Sequence, residues 1–239
     1  MLITGAARRI GAALARGFHA AGANVCIHFH RSAPEAEQLR DELDRLRSGS
    51  AIVASADLLD LDALPPLVEQ TLGAFGRLDV LVNNASTFYP TPLRQVTVGN
   101  WDDLIGTNLR APLFLAQAAG DALRSARGLI LNMIDIHAQR PLPQHPVYST
   151  AKAGLVMLTR SLARELAPDV RVNGIAPGPI LWPEGGLAPP LQEEIIDKTL
   201  LKRSGSPEDI VRTALFFAKD APYVTGQILA VDGGRSVGW

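Results

Sequence analysis

Short apolar runs alternate along the chain with longer stretches in which apolar residues recur at the helical period. The short runs are 2–4, 24–29, 51–55, 78–83, 128–134 and 170–175. The longer stretches that follow them are 9–22, 33–47, 60–75, 98–125 and 146–167. This order predicts parallel strands joined by helices. Because the strands are apolar almost throughout, we expect helices on both faces of the sheet.

These elements predict an α/β fold with a Rossmann-type, doubly wound parallel sheet of about seven strands. No linker or composition break divides the chain, so we expect a single domain over 1–239. Only three residues precede the first turn, whereas strands usually have about five or six residues, so a truncated first strand is one interpretation. The Pro- and Gly-rich segment 176–190 predicts irregular structure and a substrate loop over about 178–205.

The charge balance excludes several classes of partner. With 23 Lys and Arg residues against 24 Asp and Glu residues, the net charge is −1. A surface of this kind does not favour nucleic acid or an anionic membrane, so we expect a small-molecule partner. No apolar run approaches the roughly 18 residues of a membrane span. The single cysteine, Cys26, lies in an apolar run, which favours a buried thiol and a reducing, cytoplasmic compartment.

A glycine-containing turn, "TGAARRIG" at 4–11, follows the first strand. Gly5 would permit the tight turn, and Gly11 would let the next helix pack closely on the strand. Backbone N–H groups at such a helix start bind pyrophosphate. Arg9 stands where a third glycine is expected. The alternative is an ordinary strand-to-helix turn in which Arg8 and Arg9 are solvated surface charges.

The end of the second strand, "HFHRS", indicates which dinucleotide binds. An NAD-binding protein would carry an acid about 20 residues after the glycine turn to bind the ribose 2′-hydroxyl. This chain has His30, Arg31 and Ser32 there instead, and these donors suit a 2′-phosphate. Arg9 could reach the same charge or another part of the ligand site. We therefore predict NADP(H) as the cofactor and no metal site.

Two residues of this region also have purely structural interpretations. Ser32 and Glu35 have the S-x-x-E spacing of a helix capping box, which is compatible with anion binding. Asp57 would lie near the adenine, but an isolated aspartate is more often a helix cap.

The strongest chemical signal is the pair Tyr148 and Lys152 in "YSTAK". Residues four apart on a helix share one face, so we expect the two side chains to be neighbours. A tyrosine has a pKa of about 10, and a nearby ammonium favours the phenolate and lowers that pKa. Tyr148 is therefore a candidate general acid, although Y-x-x-x-K also arises by chance.

The chain resembles the short-chain dehydrogenase/reductase superfamily over nearly its whole length. The motifs that carry the resemblance are the glycine turn, "ADL" at 56–58, "NNAS" at 83–86, Asn108 in "GTN", "YSTAK", "VNGIAPGPI" at 172–180 and "VTGQILAVDGG" at 224–234.

This resemblance implies roles for individual residues. Tyr148 would donate the proton, Lys152 would hold the nicotinamide ribose and lower the tyrosine pKa, and Asn108 would anchor a water-linked proton relay. The implied cofactor-binding residues are Gly5, Arg9, Ile10, His30, Arg31, Ser32, Asp57, Leu58, Asn84, Ala85, Ser86, Met133, Tyr148, Lys152, Pro177, Gly178 and Ile180.

Asp135 departs from the superfamily pattern. It lies 13 residues before Tyr148, where the superfamily usually has a serine that stabilises the oxygen of a ketone or alcohol. A carboxylate would repel a developing alkoxide, so simple carbonyl reduction is disfavoured. A substrate with N–H groups, such as a pteridine reduced at a C=N bond, suits Asp135 better.

Within the superfamily the chain is most similar to the pteridine reductases. Four features carry this similarity: Arg9 in the glycine turn, H-R-S at 30–32, "NNAS" followed by "FYPTPL" at 83–93, and Asp135. It implies that Phe88 stacks on the pterin and that Ser86 binds the ring or a cofactor phosphate. The implied substrate-binding residues are Arg9, Ser86, Phe88, Asp135, Tyr148 and Trp182.

Some of these assignments have alternatives. Phe88 could be a core aromatic under a loop, and Trp182 could pack between subunits instead of closing over the ligand.

The predicted function is NADPH-dependent reduction of a pterin, such as a dihydropterin or biopterin, or of dihydrofolate. Family analogy implies a homotetramer packed through the helix carrying Tyr148 and its successor. The nearest alternative is a 3-oxoacyl-type carbonyl reductase of the same superfamily. A second alternative is a non-catalytic NADP(H)-sensing protein.

Overall fold

The computed structural model describes residues 1–183 and 185–238. These residues form a seven-stranded parallel sheet in the order β3-β2-β1-β4-β5-β6-β7. The strands are β1 (Leu2–Ile3), β2 (Val25–Phe29), β3 (Ala51–Ser55), β4 (Val80–Asn83), β5 (Leu129–Met133), β6 (Arg171–Pro177) and β7 (Ile228–Val231). The predicted Rossmann-type fold is confirmed.

Helices connect consecutive strands and cover both faces of the sheet. They are α1 (Arg9–Ala20), α2 (Ala33–Leu46), α3 (Leu64–Phe75), α4 (Val98–Ile105), α5 (Ala111–Ala126), α6 (Pro146–Glu165), α7 (Pro189–Asp197) and α8 (Pro207–Lys219). The strand order reverses between β1 and β4, which opens a crevice beyond the carboxyl ends of these strands. Within the described ranges, no helix has the length and hydropathy needed to cross a bilayer.

The two-residue strand β1 is held at the centre of the sheet by its neighbours. It pairs with β2 on one side and β4 on the other, and both of its side chains are fully buried. Backbone hydrogen bonds extend the pairing beyond the strand, from the Cys26 N–H to the Met1 carbonyl and from the Thr4 N–H to the Val82 carbonyl. The short strand is therefore fixed by contacts that begin before it and end after it.

Alternating side chains of the strands supply two apolar layers, as the period of two requires. Ile3 and Ile27 pack on one face with α1, α2 and α8. Leu2 and Cys26 pack on the other face with α3, α5 and α6. Burial raises the pKa of the Cys26 thiol to about 11. The predicted buried thiol is confirmed.

Two predicted elements differ from the structure. The helix expected over 98–125 is divided into α4 and α5 by a π-helical turn at Gly106–Arg110. The Asn108 side chain donates to the Leu104 carbonyl at 3.0 Å, so it competes with the regular backbone bonding of this turn. The expected substrate loop is also not irregular throughout, since α7 forms within it.

The capping box expected from Ser32 and Glu35 is wrong. Ser32 does precede the first residue of α2, but its side chain makes no capping hydrogen bond within the described part of the chain. The Glu35 carboxylate instead lies 3.8 Å from the Arg8 guanidinium. The Ser32 hydroxyl is thus not committed to the helix start.

Helices α1 and α8 approach closely at Gly17. A Cβ at this position would lie 2.2 Å from the Cγ1 atom of the buried Val211. We expect Gly17→Ala to lower the free energy of unfolding by about 1–3 kcal/mol, because the helices must separate. Urea denaturation measures the change.

Gly73→Ala in α3 is the matched control. A Cβ there meets no described atom within 4 Å. It should therefore stabilise the protein by up to about 1 kcal/mol through the helix preference of alanine. Equal stability of Gly17→Ala and wild type would contradict the close approach of the two helices.

Candidate active site

A cleft of about 750 Å³ lies beyond the carboxyl ends of β1 to β4. The glycine turn, the end of β2 and the segment after β4 contribute to its walls. The predicted cofactor residues that line it are Gly5, Arg9, Ile10, His30, Arg31, Ser32, Asp57, Leu58, Asn84, Ala85 and Ser86. The fold therefore brings together residues that are distant in the sequence.

The glycine turn is packed too tightly for a side chain at either of its two glycines. Gly5 has a φ of +58°, and a Cβ on it would lie 2.9 Å from the Ala85 Cα atom. A Cβ on Gly11 would lie 2.3 Å from the Gly5 carbonyl oxygen. The Asn84 side chain donates to the carbonyls of Thr4 and Gly5 at 2.9 and 3.0 Å. This turn fits the close approach of a dinucleotide pyrophosphate to a helix start.

Arg9 keeps the backbone conformation that a glycine would supply. Its φ is +55°, in the left-handed region that non-glycine residues rarely adopt. Its Nη2 donates to the carbonyls of Leu181 and Trp182 at 3.3 and 3.0 Å. Arg9 thus joins the glycine turn to the substrate loop, in which Trp182 is described and Glu184 lies outside the described residues.

The end of β2 presents basic and hydroxyl groups to the cleft. Arg31 is exposed there, and the His30 Nε2 lies 3.9 Å from the Asp57 carboxylate. Asp57 accepts the Leu59 N–H at 2.9 Å and so closes a turn. The alternative of a helix cap for Asp57 is wrong, because α3 begins farther along the chain at Leu64.

The candidate catalytic side chains meet at the start of α6. The Tyr148 hydroxyl donates to Asp135 Oδ2 at 2.8 Å. The other carboxylate oxygen, Oδ1, accepts the His137 N–H at 2.8 Å, which fixes the orientation of the carboxylate. Tyr148 is only 4% exposed. A buried phenol and an acidic side chain therefore share one small polar site.

The expected lowering of the Tyr148 pKa is wrong for this arrangement. Burial and the Asp135 carboxylate raise that pKa well above its usual value, and a hydrogen bond with Ser86 opposes them. The ammonium of Lys152 donates to the Met133 carbonyl at 2.9 Å and lies 5.6 Å from the centre of the tyrosine ring. The four-residue spacing on the helix identifies Lys152 as a neighbour of Tyr148. It does not reveal the burial and the Asp135 carboxylate, which raise the tyrosine pKa.

Lys152 is itself perturbed by its surroundings. Burial lowers its pKa to about 8, and the charge of Asp135 acts in the opposite direction. A buried ammonium with a pKa near neutrality can release a proton more readily than a solvated one.

Asn108 holds Ser86, a residue of the cleft wall that also contacts Tyr148. Its Oδ1 accepts the Ser86 hydroxyl at 2.7 Å, and its Nδ2 donates to the carbonyls of Thr87 and Leu104, each at 3.0 Å. Asn108 is buried in the π-helical turn. Ser86 therefore lies between Asn108 and Tyr148.

Phe88 is half exposed, so the alternative of a core aromatic is wrong. Its ring contacts Tyr148 edge-on, with centroids 4.8 Å apart. One face of the ring stacks on His145 at 4.7 Å, with an angle of 10° between the planes. Sequence reasoning did not identify His145, although its place three residues before Tyr148 was a usable signal.

The remaining predicted residues lie outside the lining of the cleft. Tyr148, Lys152 and Met133 lie at the polar site. Pro177 ends β6, and Gly178 and Ile180 follow it. Gly178 packs against the end of β7, where its N–H donates to the Val231 carbonyl at 3.0 Å. A Cβ on Gly178 would lie 2.6 Å from the Asp232 Cβ, so this turn also needs a glycine.

Several residues that line the cleft were not predicted. They are Ala7, Arg8, Gly11, His28, Phe29, Leu59, Thr87, Asp103 and Thr107. Of these, His28 stands in the quoted "HFHRS" motif and was the easiest to find. In the part of the chain that the structure describes, no group of three His, Cys, Asp or Glu side chains could hold a metal ion.

Comparison with known proteins places this site in a family. A family model described as "Enoyl-(Acyl carrier protein) reductase" matches residues 5–236. The chain is 38% identical, over an alignment of 277 positions, to "Pteridine reductase 1" of Leishmania tarentolae, which covers 99% of this chain and 96% of that protein. It therefore belongs to the short-chain dehydrogenase/reductase family of oxidoreductases, whose members use NAD(P)H.

Other relatives in this family carry different names. The chain is 35% identical over 237 residues to "3-oxoacyl-[acyl-carrier-protein] reductase FabG" of Staphylococcus aureus, covering 98% of this chain and 96% of that protein. It is 37% identical over 244 residues to "(2S)-[(R)-hydroxy(phenyl)methyl]succinyl-CoA dehydrogenase subunit BbsD" of Thauera aromatica, with coverage of 99% and 96%.

The buried ammonium of Lys152 should cost stability near neutral pH. Its pKa is about 8 in the folded chain and 10.5 when solvated, so the unfolded chain binds the extra proton between these values. The free energy of unfolding therefore increases as the pH rises through that interval, because the folded chain loses the buried charge first. We expect the free energy of unfolding of Lys152→Met to be roughly 1–2 kcal/mol higher than that of wild type at pH 7. The gain is only partial because the Met133 carbonyl loses its hydrogen-bond donor.

Urea denaturation at pH 7, 8, 9 and 10 measures this difference, which should shrink as the pH rises above 8. Lys152→Arg, which keeps its charge throughout, is the control. A pH-independent difference between Lys152→Met and wild type would contradict the lowered pKa.

Proposed function

We propose that this protein is an NADPH-dependent pteridine reductase that delivers hydride to a C=N bond of a dihydropterin or biopterin, or of dihydrofolate. The observation that carries the proposal is the 2.8 Å hydrogen bond between Tyr148 and Asp135, beside the half-exposed ring of Phe88. A proton donor, an acceptor for N–H groups and an aromatic surface then occupy one site.

The similarity to "Pteridine reductase 1" supports this choice. The aligned region covers 99% of this chain, so it includes the glycine turn with Arg9, the H-R-S triplet, the segment with Phe88, and Asp135. The last of these carries the most chemical information, because a carboxylate is poorly suited to stabilising an alkoxide.

The chemistry requires a hydride at carbon and a proton at the adjacent nitrogen. NADPH, when held in the cleft, would supply the hydride. Tyr148 retains its proton at neutral pH, because burial and Asp135 raise its pKa, and it can therefore act as the donor. The C=N bond becomes an HC–NH single bond, and the phenolate is left beside Asp135.

That phenolate is unfavourable next to a carboxylate, so it should regain a proton rapidly. The Ser86 hydroxyl contacts Tyr148 and lines the cleft, so it can support such a transfer, while Asn108 holds it in place. Lys152 is close enough to stabilise the phenolate transiently. Asp135 is oriented by the His137 N–H and can accept a hydrogen bond from a ring nitrogen of the substrate.

The alternative is an NADPH-dependent 3-oxoacyl-type carbonyl reductase, which the similarity to the Staphylococcus aureus protein favours. In that reaction Asp135 would lie beside the developing alkoxide and destabilise it. A protein that only senses NADP(H) is a weaker alternative. Such a protein would gain nothing from burying Lys152 next to Tyr148.

We also propose that the enzyme is a cytoplasmic homotetramer, as the family resemblance implies. The apolar side chain of Met157 on α6 is exposed and would be covered by such packing. The residues assigned to the nicotinamide side, Met133 and Pro177 to Ile180, belong to the same proposal.

Asp135 should determine which substrate is reduced. We expect wild type to oxidise NADPH with dihydrobiopterin or dihydrofolate and to act poorly on small ketones and 3-oxoacyl thioesters. Asp135→Ser should lower kcat/KM for the pterin by about 100-fold, because the substrate N–H loses a charged acceptor. The same variant should have an unchanged or higher kcat/KM for ketones.

Asp135→Asn, which keeps the shape without the charge, is the matched control, and Tyr148→Phe gives the background rate. Turnover of ketones alone by the wild type would refute the pterin assignment and leave the carbonyl reductase.

Arg31 should determine the cofactor preference. We expect Arg31→Ala to raise the Kd of NADPH at least tenfold and to leave that of NADH nearly unchanged, because a charge-assisted hydrogen bond contributes roughly 1.5–3 kcal/mol. Quenching of protein fluorescence measures both constants. Arg45→Ala, on α2 outside the cleft, is the control. Equal losses for the two cofactors would argue against a 2′-phosphate contact.

A further inference from the structure

A buried histidine lies beneath the glycine turn. His28 belongs to β2, is 1% exposed, and forms part of the cleft wall. Its Nδ1 lies 3.0 Å from the Gly5 backbone nitrogen, and its Nε2 lies 3.1 Å from the Ala56 carbonyl oxygen. The proposed reaction makes no use of this side chain.

The two contacts fix the protonation of the ring. The Gly5 N–H can only donate, so Nδ1 must carry a lone pair. The Ala56 carbonyl can only accept, so Nε2 must carry the hydrogen. His28 is therefore a neutral imidazole in a single tautomer, and burial lowers its pKa to about 4.

The position of this ring connects two parts of the cleft. Gly5 belongs to the turn after β1, and Ala56 immediately precedes Asp57 after β3. The His28 carbonyl also accepts the Ala6 N–H at 2.8 Å. One residue of β2 thus sets how far the glycine turn lies from the loop after β3.

We propose that His28 is a positioning residue for the dinucleotide, because its neutral imidazole holds the glycine turn and the Asp57 loop at a fixed separation. The two loops would contact the adenosine diphosphate portion, which NADH and NADPH share. His28 should therefore influence affinity for both cofactors, in contrast to Arg31. The proposal concerns cofactor binding and is independent of the substrate.

Three substitutions separate the two hydrogen bonds. His28→Asn places an acceptor close to the position of Nδ1 and can still serve Gly5. His28→Gln places a donor close to the position of Nε2 and can still serve Ala56. His28→Leu removes both. The matched control is His19→Leu, because His19 is also buried and hydrogen-bonded, to Ser50, but does not line the cleft.

The experiment measures the Kd of NADPH and of NADH by fluorescence titration, together with the Tm of each variant. We expect His28→Leu to raise both Kd values by roughly tenfold, with their ratio unchanged. His28→Asn should bind both cofactors more tightly than His28→Gln. His19→Leu should lower the Tm and leave both Kd values near those of wild type.

Three outcomes would overturn the proposal. One is cofactor affinity in His28→Leu equal to that in His19→Leu, since His28 would then only stabilise the fold. Another is a change confined to NADPH. The third applies if His28→Leu does not fold: equal affinities of His28→Asn and His28→Gln for the two cofactors would then overturn the proposal. Because no pterin or ketone is present, the result stands apart from the substrate assignment.

Discussion

The hydrogen bond between Tyr148 and Asp135 joins the start of helix α6 to the segment that follows strand β5. Asp135 follows the central strand β5, and Tyr148 lies in the first turn of α6, so the bond closes the connection between them. The phenol is buried, whereas Asp135 is partly exposed. Burial and the adjacent carboxylate both keep the phenol protonated. The phenol therefore keeps its proton at neutral pH, as a proton donor requires.

Burying polar groups near the site lowers the stability of the fold. Lys152 is almost completely buried, and its amine donates to a backbone carbonyl. Gly5, Gly11 and Gly178 give up side-chain packing so that backbone segments can approach one another. The two apolar layers around the sheet offset these losses, since they extend over both faces of every central strand.

The sequence predicts the features that depend on local patterns. Apolar runs locate the strands, and the Tyr148 and Lys152 spacing places both side chains on one helix face. The predicted direction of the Tyr148 pKa shift was wrong because the shift depends on burial and on the nearby Asp135 carboxylate, both of which tertiary packing sets. The π-helical turn coincides with a hydrogen bond from the Asn108 side chain to the Leu104 carbonyl, which no apolar pattern reveals. Likewise, Glu35 lies near Arg8 instead of completing a capping box, which spacing alone does not reveal.

Arg9 holds the substrate loop by backbone carbonyls, those of residues 181 and 182, and not by side chains. An attachment of this kind places no demand on which amino acids occupy the loop, provided that the chain follows the same path. The side chains of this segment can therefore change while Arg9 keeps the same two contacts. The composition of the segment and its attachment to the glycine turn are thus independent of each other.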